Sequence, residues 1–112
     1  MGDQQNDDPG TLPEDSRRQV VVNVGGEMDI DRAPMLRAAL HAAITQEGGS
    51  AEIVVDLTEL SFCDSAGLNA FISARRTAGE YGRRISLRNP QPQFRRLLAL
   101  TGAEDLFPIT HT

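Results

Sequence analysis

Val20-Val21-Val22 and Val24 make the first apolar run of the chain, and after Gly25-Gly26 a shorter one ends near Ile30. Two such runs around a glycine pair predict a β-hairpin. From Arg32 the apolar positions Leu36, Ala39, Leu40, Ala43 and Ile44 fall at helical spacing, with Pro34 placed in the first turn, where its missing N–H costs nothing. Glu47-Gly48-Gly49-Ser50 ends that helix. Residues 51–57 contain Ile53-Val54-Val55, three consecutive β-branched side chains, which marks a strand buried on both faces. A loop is expected over 58–64. From Ser65, the positions Leu68, Phe71, Ile72 and Ala78 return to helical spacing and end between Gly79 and Gly82. Residues 83–89 read as a further strand, and 90–100 as a third helix with Phe94, Leu97 and Leu98 on one stripe and Gly102 just past its end. Residues 106–110 read as an edge strand that tolerates Pro108. Strands and helices alternate after the opening hairpin, so the expected class is α/β: a mixed β-sheet of about five strands with helices packed on it. The chain shows no internal repeat.

Composition divides the 112 residues into two parts. Residues 1–16 hold five acids, no base and almost no large apolar side chain, so they cannot bury enough surface to offset their ordering entropy and are expected to be a disordered acidic tail. Residues 17–112 hold eleven acids and eleven arginines, net zero, and form the one expected domain. A body without basic excess gains little from counterion release, which argues against direct nucleic-acid binding. Lysine is absent altogether. A single cysteine, Cys63, forms no internal disulfide, the N-terminus lacks the basic start and apolar stretch of a secretory signal, and no run reaches the ~18 apolar residues of a membrane span. A cytoplasmic protein with no membrane partner is expected.

Chemistry concentrates at Cys63-Asp64-Ser65-Ala66-Gly67, between the buried strand and the second helix. Three readings of Ser65 are open. Asp64 can cap the helix, with Ser65 an ordinary first-turn residue. A nucleophile elbow, G-x-S-x-G, also sets a serine between strand and helix, but its first glycine is Cys63 here and seven residues separate the strand from Ser65, where an elbow is a sharp turn. The order Ser65, Asp105, His111 imitates a triad, yet a base at the penultimate position is poorly held. No enzyme is expected. The third reading is a kinase substrate: a phosphate in the first turn of a helix meets unpaired N–H groups and a favourable dipole. Cys63 reads as a small buried apolar residue, since Asp64 beside it opposes the thiolate. His41 reads as a surface or core-edge histidine. Two histidines and one cysteine, well separated, give no metal spacing, and Gly25-Gly26 lacks the lysine of a phosphate loop, so neither metal nor cofactor is expected.

The segment VVDLTELSFCDSAGLNAFISA, 54–74, resembles the signature of the STAS domain family, in which a buried strand runs through Asp-Leu and Asp-Ser-x-Gly-Leu opens the second helix. Residues 22–40 resemble its N-terminal hairpin and first helix, with Glu27-Met28-Asp29 at the family's Glu-Leu-Asp, and residues 94–109 its third helix and final strand. The resemblance implies a single STAS domain. Many members carry a fourth helix after the last strand; none is expected here, so a partly exposed face, or a homodimer that replaces the helix, follows. A free-standing domain with this motif is most similar to the anti-sigma factor antagonists. That likeness implies phosphorylation at Ser65 by an anti-sigma factor that is a Ser/Thr kinase, reversal by a metal-dependent phosphatase, and release of a sigma factor by the unphosphorylated form. It also implies a partner-binding patch of Asp29, Asp56, Asp64, Ser65, Ala66, Gly67 and Leu68. Ala66, where antagonists often have a second serine, is shared with unphosphorylated STAS subunits of lipid-transport complexes of the ABC type, so the alternative is a constitutive interaction module.

Overall fold

A computed structural model describes residues 19–111, and the expected acidic tail 1–16 lies outside the described residues. The strands are β1 (Gln19–Asn23), β2 (Gly26–Met28), β3 (Glu52–Asp56), β4 (Leu60–Cys63), β5 (Arg84–Arg88) and β6 (Ile109–Thr110). The helices are α1 (Ala33–Thr45), α2 (Ser65–Glu80) and α3 (Pro92–Thr101), with a 3₁₀ turn at Glu104–Leu106. The α/β class and the three helices are as expected. Pro34 and Pro92 sit in first turns, and Gly102 ends α3 in the left-handed conformation at φ 74°.

Strand pairing departs from expectation. All pairs among the described strands are parallel: a four-stranded sheet in the order β1-β3-β5-β6 and a two-stranded sheet of β2 and β4. No hairpin pairs β1 with β2, and among the described residues every strand pair is parallel. Gly26, at φ +75°, makes a sideways step after which the chain continues in its original direction. The Arg32 guanidinium holds the step by donating to the carbonyl oxygens of Gly25 at 3.0 Å and Glu27 at 2.8 Å. Residues 57–59 step in the same way, so that Val24 N–H donates to Asp56 O and Gly26 N–H to Glu59 O. β1–β2 and β3–β4 are thus two bent ribbons lying side by side, and part of the expected loop 58–64 is strand β4.

The order β1-β3-β5-β6 never reverses, and parallel crossovers share one hand, so the connecting helices fall on one face of the sheet. That face presents Val20, Val22, Ile53, Val55, Ile85 and Leu87 to Leu36, Leu40 and Ile44 of α1 and Leu68, Phe71 and Ala78 of α2. Phe94 of α3 closes the core against Phe71, ring centroids 5.4 Å apart and tilted by 58°. No helix among the described residues is long and apolar enough to cross a membrane.

Candidate functional site

β2 and β4 are each followed by an aspartate that turns the chain into a helix. Their register pairs Met28 with Cys63, and the Asp64 N–H continues the ladder to Met28 O at 3.1 Å. Asp29 and Asp64 therefore stand next to each other at the C-terminal edge of the small sheet. The Asp29 carboxylate accepts from the N–H groups of Asp31 at 3.1 Å and Arg32 at 3.2 Å, leading into α1. The Asp64 carboxylate accepts from Gly67 N–H at 3.0 Å, the N-cap geometry of α2, while its carbonyl accepts from Leu68 N–H at 2.9 Å.

Ser65 is the first helical residue of α2 and is exposed. Its hydroxyl has no hydrogen-bond partner among the described residues, and the first-turn N–H groups of Ser65 and Ala66 have no intrahelical acceptor. An exposed hydroxyl beside two such donors can accept a phosphate without breaking a protein bond.

Gly67 is what allows α2 to start so close to the sheet. A Cβ there would lie 2.7 Å from Cys63 Sγ and 2.9 Å from both the Met28 carbonyl oxygen and its Cγ. Gly67 and Leu68 are buried under the patch and shape it from below, whereas Asp29, Asp64 and Ala66 are half-buried at its surface. Cys63 is fully buried, and its thiol is pushed up to about 12, first by burial and then by the Asp64 charge. It is no thiolate nucleophile.

Asp56 is not brought to this place. It is the last residue of β3, before the bend at 57–59 that leads into β4, its carboxylate accepting from Thr58 N–H at 2.9 Å and from Arg88 Nε at 2.8 Å. The Thr58 backbone N–H, then the Thr58 hydroxyl and the Arg88 guanidinium, hold its carboxyl below the ordinary range. Asp105 is remote as well: it faces Arg83 and Arg84 across a cleft at the C-terminal end of α2, while Ser65 is at the N-terminal end and His111 follows β6. No Ser65–Asp105–His111 relay is assembled. His41 is exposed on α1. Among the described residues no group of three or more His, Cys, Asp or Glu is placed to hold a metal ion.

Two features of the site are absent from the expected set. Gln93, in the first turn of α3, clamps the backbone of Cys63 with its side-chain amide: Oε1 accepts from Cys63 N–H and Nε2 donates to Cys63 O, both at 2.9 Å. β2 covers the other edge of β4, so Gln93 stands where a third strand would. A lone glutamine in a polar helix start carries no signal of this. The second feature is apolar exposure beside the aspartates, with Ile30 69% and Phe62 42% exposed.

Comparison with known proteins agrees with the fold. The family model described as "Mlab, STAS domain" matches residues 12–108. An anti-sigma-B factor antagonist of Bacillus subtilis (strain 168) is 30% identical over 95 residues, 85% of this chain and 84% of that protein. Among solved structures, the anti-sigma factor antagonist SpoIIAA in its unphosphorylated form superposes with a TM-score of 0.71 at 27% identity, over 86% of this chain and 81% of that one. The phosphorylated form of the Bacillus cell fate determinant SpoIIAA gives 0.66 at 27% identity, over 86% and 84%.

Proposed function

The chain belongs to the STAS domain family, and we propose that within it the protein is an anti-sigma factor antagonist switched by phosphorylation at Ser65. The unmodified protein binds an anti-sigma factor that is a Ser/Thr kinase and so releases a sigma factor; the phosphorylated protein does not bind, and a metal-dependent phosphatase restores it. It acts in the cytoplasm and as a binding protein, not a catalyst. The observation that carries this reading is the Ser65 hydroxyl, exposed and without a partner among the described residues, at the start of a helix fixed by the Asp64 cap and the Gly67 contact. The names of the relatives support it, as does the existence of one of them in phosphorylated and unphosphorylated forms.

The partner surface in this reading is Asp29, Asp64, Ser65 and Ala66 with the exposed Ile30 and Phe62 beside them. Apolar side chains supply buried area, and the aspartates supply charge that a cationic partner site complements. Gly67 and Leu68 serve this surface by setting its shape, and Asp56 by holding the bend from which β4 departs.

The experiment is phosphosite mapping after incubation with the cognate kinase and ATP. One phosphate at Ser65 is expected, and Ser65→Ala should gain none and still bind the kinase. Phosphate on Thr58 or Ser61 in place of Ser65 overturns the assignment. A Ser65 that stays unmodified by every kinase of its own cell, with binding intact, points to the constitutive interaction module.

A further inference from the structure

Four of the nine arginines among residues 19–111 line one cleft of about 780 Å³. Arg75 and Arg76 come from the C-terminal half of α2, Arg83 and Arg84 from the entrance to β5, and Glu104 and Asp105 form the facing wall. Two guanidinium groups are fixed by backbone: Arg75 Nε donates to Leu106 O, and Arg83 Nη1 donates to Ile44 O. Each bond leaves most of the guanidinium's five N–H donors uncommitted. The guanidinium groups of Arg76 and Arg84 have no hydrogen-bond or ion-pair partner among the described residues. The Arg88–Asp56 contact is the one ion pair among those residues, so neither Glu104 nor Asp105 pairs with any of the four. Four guanidinium charges against the two carboxylates of Glu104 and Asp105 leave the cleft net positive by two, and an anionic occupant offsets that excess.

We propose that this cleft is the docking site of the chain's own acidic segment, residues 1–16. Charge complementarity is the first reason: the segment contains Asp3, Asp7, Asp8, Glu14 and Asp15 and no base, while the remainder of the chain is net neutral. Position is the second. β1, β3 and β5 run parallel, so β1 begins at the same end as β5, and the register Gln19–Glu52–Arg84 sets the chain's entry two strands from Arg84, roughly 10 Å. Reach is the third: at about 3.3–3.6 Å per extended residue, every acid of the segment can arrive at the cleft without strain. Tethering so close to the site raises the local concentration to the millimolar range, enough for a weak, screened interaction to be populated.

The placement separates two anionic features. Arg75 and Arg76 lie ten and eleven residues along α2 from Ser65, about 15 Å at the helical rise. Docking keeps the segment's five negative charges away from Asp29 and Asp64, and high salt or a competing polyanion frees them.

Paramagnetic relaxation in the full chain tests this. A nitroxide is attached at Asn6→Cys; the buried thiol of Cys63 is not labelled in the folded protein. At about 20 mM salt the amide signals of Gly79, Gly82, Arg84 and Glu104 should lose at least half their intensity, and those of residues 65–70 should not; at about 0.5 M salt the loss should vanish. It should also vanish in Arg76→Gln/Arg84→Gln and, with the folded part untouched, when the five acids are replaced by their amides. Broadening that is absent, spread evenly over the surface or unchanged in both variants overturns the proposal. So does equal broadening of an unlabelled copy by a labelled one, which assigns the cleft to a second molecule's segment. If inorganic phosphate shifts the cleft signals while the nitroxide leaves them sharp, the cleft is a phosphate site and the proposal fails.

Discussion

The N–H of Asp64 donates to the carbonyl oxygen of Met28 at 3.1 Å, and through this bond two helix starts share one edge. Asp29 leads the chain into α1 and Asp64 caps α2. Any change that moves β2 against β4 moves both aspartates and Ser65 relative to each other.

The close approach of α2 to Met28 makes Gly67 and Gly79 respond with opposite sign. Gly67→Ala sets a methyl group into Cys63 Sγ and the Met28 carbonyl, and overpacking of this kind costs about 1–3 kcal/mol, more than the ~1 kcal/mol gained in helix propensity. A Cβ at Gly79 meets nothing within 4 Å, so Gly79→Ala should stabilise by about 0.4–1 kcal/mol. Urea unfolding of the two variants decides; a Gly67→Ala protein as stable as Gly79→Ala contradicts the contact.

Gln93 should matter to the serine without touching it. Gln93→Ala leaves the N–H and C=O of buried Cys63 without their amide, a loss of about 1–3 kcal/mol. Amide exchange at Cys63 should accelerate at least ~10-fold, and phosphorylation of Ser65 should slow. Gln93→Glu keeps only the acceptor half of the clamp and sets a carboxylate against Cys63 O, so it should not rescue. Unchanged exchange at Cys63 in Gln93→Ala would contradict the clamp.

Asp56 predicts a pH dependence. Its carboxyl is held below the ordinary range by the Thr58 N–H and hydroxyl and by Arg88, so its folded value lies below the unfolded one of about 3.9. Its contribution is therefore complete above the unfolded value and is lost as pH falls through the folded one. The stability difference between wild type and Asp56→Asn should be constant from pH 7 to about pH 5 and shrink towards pH 3. Urea titrations at these values test it; a difference that grows on acidification would reverse the sign.

Phosphorylation at Ser65 should weaken the kinase complex and leave the domain folded. The phosphate adds roughly −1.5 to −2 charges beside Asp64 and next to Asp29 in the ladder. At an effective dielectric near 20, unit charges about 5 Å apart repel by on the order of 3 kcal/mol, and ~1.4 kcal/mol is tenfold in affinity. A loss of about a hundredfold is expected from calorimetry, with a smaller one for Ser65→Asp, whose carboxylate carries less charge. Within the free domain, the helix N-terminus favours the phosphate by up to ~1 kcal/mol, and the cooperative melting transition should persist. Equal affinity of the two forms, or a lost transition, would contradict the mechanism.

Local chemistry determined a good deal of this protein before any fold was known. α2 begins at Ser65 because Asp64 can cap it, Pro34 and Pro92 sit in first turns because nothing there needs their N–H, and Ile53-Val54-Val55 lies in a strand covered on both faces. These outcomes depend on side chains within a few residues of one another, which is the range a sequence pattern covers.

Strand pairing was settled by contacts distant in sequence. A glycine pair between apolar runs suits a reversal and a sideways step alike; the partner strands, some thirty residues away, make Gly25-Gly26 the latter. β4 was hidden because its burial does not alternate: Leu60 and Cys63 face inward while Ser61 and Phe62 between them are exposed, and the ladder shifts register at Gly26–Glu27. The same distance hides the clamp of Gln93 on Cys63, where an amide from α3 bonds a backbone thirty residues earlier. Asp56 carries the same side chain as Asp29 and Asp64 yet closes β3 before the chain bends into β4, bound to Arg88. Residue type states what a carboxylate can bind, but which partner reaches it is settled by strand register, a property of the folded chain alone.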